Sequence, residues 1–172
     1  MVIWITGLSG AGKSTLGKLL YTDLKKKYPN TIWFDGETTN LLTDRTRKYD
    51  KKSRISQYQK QIKFYQFCHD QKINLIISCL YYDKPTQTKN KKIFKKYFEI
   101  YLKSDIKKLI KRDSKGTYRK NLKKKNPNLV GYDIDLNMPK GSDVIIENFY
   151  EKDKKFYKKK ILSKIKNKFD KF

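Results

Sequence analysis

The chain has 172 residues and a formal net charge of +25, with 42 lysines and arginines against 17 acidic residues. That length suits one domain, spanning residues 1–172 around a single core of packed layers, and no apolar run approaches the ~20 residues of a membrane span. Cys68 and Cys79 lack C-x-x-C spacing and suit a reduced, cytoplasmic protein, while a lone histidine, His69, read as an exposed helix residue, argues against a histidine zinc site or a catalytic triad.

Val2–Thr6 reads as a short apolar strand. It runs into Gly7-Leu8-Ser9-Gly10-Ala11-Gly12-Lys13-Ser14, a G-x-x-x-x-G-K-S phosphate-binding loop, and then into a helix predicted over Ser14–Tyr28. Strand, loop and helix in that order is the setting the motif requires, and it leaves no room for the apolar stretch of a signal peptide. Glycines let successive backbone N–H groups turn onto phosphate oxygens, and the helix adds the positive end of its dipole. In such a loop Lys13 reaches the β- and γ-phosphates and the Ser14 hydroxyl ligates Mg²⁺, so a nucleoside triphosphate is the expected ligand.

The second predicted strand, Thr31–Asp35, ends in Asp35-Gly36-Glu37. A carboxylate at the carboxyl end of a parallel strand lies in the crevice where such sheets bind ligands, although Asp-Gly is also a common turn pair. A helix over Lys52–Gln71 carries Ile55, Tyr58, Ile62, Tyr65 and Phe67 near helical spacing, a stripe read as core. A strand over Ile73–Cys79, a helix over Thr88–Lys96, a strand over Tyr97–Leu102 and a helix over Asp105–Arg112 follow. Residues 113–142 have no sustained period and hold Gly116, a basic Lys123–Lys125 run, Pro127, Gly131, Pro139 and Gly141, the composition of a mobile lid. A strand over Asp143–Glu147 precedes a last helix, Glu151–Phe169, whose Phe156, Ile161, Ile165 and Phe169 are expected to dock onto the sheet rather than a membrane. Strands alternating with helices predict an α/β fold with a five-stranded parallel sheet between two helical layers, of the P-loop NTPase type, plus a lid segment.

Four stretches resemble the adenylyl-sulfate kinase family across nearly the whole chain: Gly7–Thr15 as G-L-S-G-A-G-K-S-T, Asp35-Gly36-Glu37, Arg112-Asp113-Ser114-Lys115-Gly116-Thr117-Tyr118, and Gly131-Tyr132-Asp133 with Pro139. The R-D-x-K-G-x-Y element is the most specific, since simple nucleotide kinases do not normally carry it. The resemblance implies MgATP as phosphoryl donor and the ribose 3′-hydroxyl of a nucleotide as acceptor. It assigns Gly7, Ser9, Gly10, Ala11, Gly12, Lys13, Ser14, Thr15 and Arg112 to ATP and Ser14 to the metal. Lys13 and Asp35 become the catalytic pair. Asp35, Glu37, Tyr49 (at a base-stacking position), Arg54, Ser78, Lys115, Gly116 and Thr117 face the acceptor. Members of the family are commonly dimers, so a homodimer is the assembly it implies.

The departures fall on the acceptor side. Glu37 stands for the second aspartate of D-G-D, and Asn40 for an arginine. Gln57-Tyr58-Gln59-Lys60 stands for N-I-R-R, Leu129 for a second stacking Phe, and Thr117 for a leucine. Fewer arginines mean fewer bidentate contacts to an anionic acceptor, with Arg45, Arg47 or Lys60 as poorer substitutes. One aromatic fewer weakens a purine sandwich, since stacking is worth ~1–3 kcal/mol per base. Adenylyl sulfate is the acceptor expected on family frequency; the alternative is cytidine diphosphoramidate, used by relatives that serve capsule phosphoramidate synthesis. A third reading, from another class, is a basic nucleic-acid-binding protein that keeps a P-loop. Against it, lysine supplies 37 of the 42 basic residues, spread along the chain, and alanine occurs once, as an AT-rich coding bias would give. No specific nucleic acid and no membrane is therefore expected as a partner.

Overall fold

The computed structural model describes residues 1–40, 50–80, 84–125, 127–134 and 139–169, apart from the side chains of Glu37, Asn40 and Lys84. β1 (Val2–Gly7) is apolar on both faces, as a strand covered from two sides must be: Val2 and Trp4 pack one way, Ile3 and Ile5 the other. It is the middle of a parallel sheet. β3 (Asn74–Cys79) pairs with one edge of β1 and β4 (Tyr97–Lys103) with the other, β2 (Thr31–Phe34) lies outside β3, and β5 (Val144–Glu147) outside β4. All these pairings are parallel, so the carboxyl ends of the strands share one edge of the sheet.

The two faces are covered by different helices. α1 (Lys13–Lys27) buries Leu16, Leu20 and Leu24, and α7 (Lys154–Phe169) buries Ile161 and Ile165, against Ile3, Ile76, Phe98 and Ile146. On the opposite face α3 (Lys51–Asp70) lays Tyr58, Ile62, Tyr65 and Cys68 on Val2, Trp4, Leu75 and Ile77. That is the predicted three-layer α/β/α arrangement. A smaller cluster of Leu8, Leu109, Tyr118, Leu129 and Val130 lies where the phosphate loop meets α5 (Ile106–Arg112) and the segment after it.

Several expectations need correction. Phe67 is 63% exposed, because nine residues after Tyr58 a helix has turned half a revolution, and Cys68 takes the inward position. Phe156 is likewise 57% exposed, leaving Ile161 and Ile165 to dock α7. His69 is only partly exposed and packs edge-on against Phe94. α4 spans Lys84–Ile93, earlier than predicted, since Pro85 falls in the first turn, where its missing N–H costs nothing. The stretch before Lys154 forms a 3₁₀ turn, Phe149–Glu151, instead of opening α7.

Two short helices escaped the sequence pattern. α2 (Gly36–Asn40) begins at Asp-Gly because the Asp35 carboxylate accepts from the Thr38 N–H at 2.9 Å. α6 (Thr117–Leu122) lies inside the stretch read as irregular, and six residues are too few to display a period. Among the described residues, no helix is long and apolar enough to cross a membrane, and Cys68 and Cys79 are free thiols.

Candidate active site

The loop after β1 is bent by glycines at positive φ, Gly10 at +77° and Gly12 at +98°. At Gly12 space is limiting too, since a Cβ would lie 2.8 Å from the Phe149 ring. α1 opens at Lys13 with no side chain capping it and no acidic residue in its first turn. Among the described residues no side chain answers its leading amides, and an anion is their natural partner. Ala11 plays a different part: it is fully buried, and its N–H closes the loop onto Leu8 O at 3.2 Å.

Lys13 stretches back along the loop and donates to Gly7 O at 3.0 Å and Leu8 O at 2.8 Å. Burial lowers its pKa from 10.5 to about 8, and the positive charge of Lys115 acts the same way. A triphosphate would supply the negative charge this ammonium lacks. The neighbouring Cys79 thiol is pushed by burial up to about 12, which leaves it protonated and unsuited to nucleophilic attack.

A cleft of about 710 Å³ opens at the carboxyl edge of the sheet. Of the donor-side residues expected from sequence, Ser9, Gly10, Gly12, Lys13, Ser14, Thr15 and Arg112 line it, whereas Gly7 and Ala11 shape the loop from behind. Arg112 donates to Gly10 O at 3.2 Å, and its guanidinium lies 4.7 Å from the centre of the Tyr150 ring. Of the acceptor-side set, Asp35, Arg54, Ser78, Lys115, Gly116 and Thr117 line the same cleft. Glu37's side chain, Tyr49, Arg45 and Arg47 lie outside the described residues. The carboxylate of Asp35 thus shares a cavity with the ammonium of Lys13, although it also caps α2 through Thr38. Ser78 is 1% exposed and ties elements together, accepting from Trp33 Nε1 at 3.1 Å and donating to Lys13 O at 3.3 Å.

The motif around Arg112 is largely architecture. Asp113 stands at φ +31° and accepts from the N–H groups of Tyr118 and Arg119, both at 2.9 Å, which starts α6. These bonds hold its carboxyl below the usual carboxylate value. Tyr118 then donates its hydroxyl to Ser9 O at 2.9 Å, strapping the segment to the phosphate loop. Asp133 plays a similar part near Leu129, accepting from the Asn128 N–H at 2.7 Å.

One sequence-based reading of the departures fails. Gln59 and Lys60, which stand where the family has arginines, are exposed and do not line the cleft, so Lys60 cannot substitute there for a lost contact. The α3 residues that do line it are Arg54, Gln57, Tyr58 and Gln61, one stripe at i, i+3, i+4 and i+7. Gln61 was missed, although the same spacing counted from Arg54 would have found it. Among described residues, no group of three or more His, Cys, Asp or Glu could hold a metal. Ser14 lines the cleft, and its hydroxyl is an oxygen donor of the kind Mg²⁺ takes, an ion that keeps waters and substrate phosphates as most of its ligands.

The adenylylsulphate kinase family model matches residues 1–147. Over 147 residues the chain is 40% identical to a cytidine diphosphoramidate kinase of Campylobacter jejuni, covering 86% of this chain and 85% of that protein. It is 27% identical over 146 residues to a probable adenylyl-sulfate kinase of Archaeoglobus fulgidus, covering 85% of this chain and 94% of that protein. In fold it matches the Mycobacterium tuberculosis APS kinase solved with AMPPNP and APS, with a TM-score of 0.82, 18% identity and 96% of each chain covered.

Proposed function

The chain belongs to the adenylylsulphate kinase family and is an ATP-dependent phosphotransferase, and from that premise we propose that it phosphorylates the ribose 3′-hydroxyl of cytidine diphosphoramidate. The single observation that carries this choice is the 40% identity to the cytidine diphosphoramidate kinase, against 27% to an adenylyl-sulfate kinase over a similar span. The cleft supports the chemistry. The acceptor oxygen forms a bond to the γ-phosphorus as the bond to the β-phosphate oxygen breaks, releasing ADP. Such transfer needs alignment and charge neutralisation more than covalent help.

Lys13 and the loop amides would hold the donor phosphates, and Arg112 would flank the donor from the segment that follows α5. Asp35 would align the hydroxyl and take its proton late in the transfer. Ser14 would hold Mg²⁺, which would neutralise charge on the donor phosphates when bound. Arg54, Lys115, Gly116 and Thr117 would contact the acceptor, while Ser78, expected from sequence to do so, is buried and steadies the start of α1 instead.

Adenylyl sulfate is the second reading, favoured by the family model and by the fold neighbour. Purified protein with MgATP and each acceptor separates the two through ADP release. Cytidine diphosphoramidate is expected to give the higher kcat/KM by about tenfold or more, a gap that differential recognition of one polar group can supply. The reverse order would assign adenylyl sulfate, and turnover of neither would reject both acceptors.

A further inference from the structure

On the acceptor side, two of the four α3 side chains that line the cleft have protein partners. Arg54 donates to Asn128 O at 2.9 Å, and the Tyr58 hydroxyl bonds Asn90. Gln57 differs from the others in burying an unmatched acceptor: no described residue donates to its side-chain oxygen Oε1. A buried carbonyl without a donor is uncommon in folded proteins, and water or a bound ligand is the partner it can take from outside the chain. Gln57 itself lines the cleft, so a substrate seated there can become that partner once the carboxamide turns toward it.

We propose that Gln57 is a specificity-determining residue whose carboxamide oxygen accepts an N–H from the acceptor nucleotide. This rests on the reading of the protein as a nucleotide 3′-kinase and sharpens it. Arginine or lysine could not take this role, because neither carries an acceptor atom. A carboxamide offers one without adding charge. Two parts of an acceptor nucleotide present such a donor: the exocyclic amine of the base, and the P–NH₂ group of a phosphoramidate. A sulfate or phosphate terminus, carrying only acceptor oxygens, does not.

The test compares acceptors that differ in one N–H. Cytidine diphosphoramidate is set against CDP, which replaces the P–NH₂, and against uridine diphosphoramidate, which replaces the base amine. Should adenylyl sulfate be the acceptor used, its inosine counterpart completes the pair. The wild type should favour the N–H-bearing member of one pair by about tenfold or more in kcat/KM. Gln57→Met, of similar length but without the carbonyl, should shrink that gap to about twofold with KM for ATP unchanged. Gln57→Glu, which keeps an acceptor oxygen, should retain it.

The pair that collapses identifies the N–H being read. Melting temperatures verify folding, and Gln57→Leu replaces the methionine variant if that one melts early. Wild-type gaps persisting in folded Gln57→Met or Gln57→Leu would overturn this inference alone. A wild type with no acceptor-dependent ADP release would overturn it together with the kinase reading.

Discussion

The proposed donor and acceptor sides of the cleft are built in opposite ways. The donor side comes mostly from one short loop, with Ser9, Gly10 and Gly12 to Thr15 lining the cleft and Lys13 folded back onto it, joined by Arg112. The acceptor side is assembled from side chains on α3, the ends of β2 and β3, and the stretch following Arg112. Backbone amides bind phosphate whatever the neighbouring side chains are, so one short motif can specify the donor. Recognition by converging side chains can be retuned one residue at a time. The lesson is that a family with one donor can vary its acceptor without disturbing the fold.

Changes at the seam between the two sides should have the largest effects. Lys13→Ala should lower kcat by roughly 10³-fold or more, because it removes the charge facing the transferred phosphoryl group. Its melting temperature should stay near that of the wild type; undiminished turnover would break the donor half of the comparison. Asp35→Asn should cost about 100-fold in kcat and leave ATP affinity unchanged in a calorimetric titration. Asparagine still caps α2, so the loss would report on the hydroxyl and not on the helix. An unchanged kcat would reduce Asp35 to a capping residue.

Smaller effects test whether the two sides are coupled. Tyr118→Phe removes the hydrogen bond to Ser9 O and should destabilise the protein by about 1 kcal/mol. It should also raise KM for ATP several-fold; a rise confined to the acceptor's KM would show that the strap does not steady the phosphate loop. The smallest effect concerns acid. Asp113 has its folded pKa held below 3.8 by the amides of Arg119 and Tyr118, so its stabilising contribution is complete above that value and is lost as pH falls through the lowered one. Faster hydrogen exchange of the Tyr118 amide on acidification, corrected for the intrinsic rate, would register this. Asp113→Asn should blunt the change.

Much of this was legible in the sequence. The strands were found because runs such as Leu75-Ile76-Ile77 have one physical explanation, burial on both faces of a parallel sheet. The loop was found because Gly12-Lys13-Ser14 serves a ligand and not local propensity. What stayed hidden depended on tertiary partners. α2 and α6 are started by Asp35 and Asp113, whose capping role a turn-like sequence does not announce. The outward turn of Gln59 and Lys60 is set by how α3 lies on the sheet, with Tyr58 and Ile62 inward. The orphan oxygen of Gln57 could be recognised only after every nearby donor had been accounted for.

Phe149 has a practical consequence. The match to the family model ends at Glu147, where β5 ends, yet two residues later this ring lies fully buried against Gly12, in the same core as Ile161 and Ile165. Anyone trimming the gene to its matched portion would amputate the floor beneath the phosphate loop together with the helix that braces it. Shortened versions made for expression should keep everything through Phe169, and lost nucleotide binding in a tighter truncation would say nothing about catalysis.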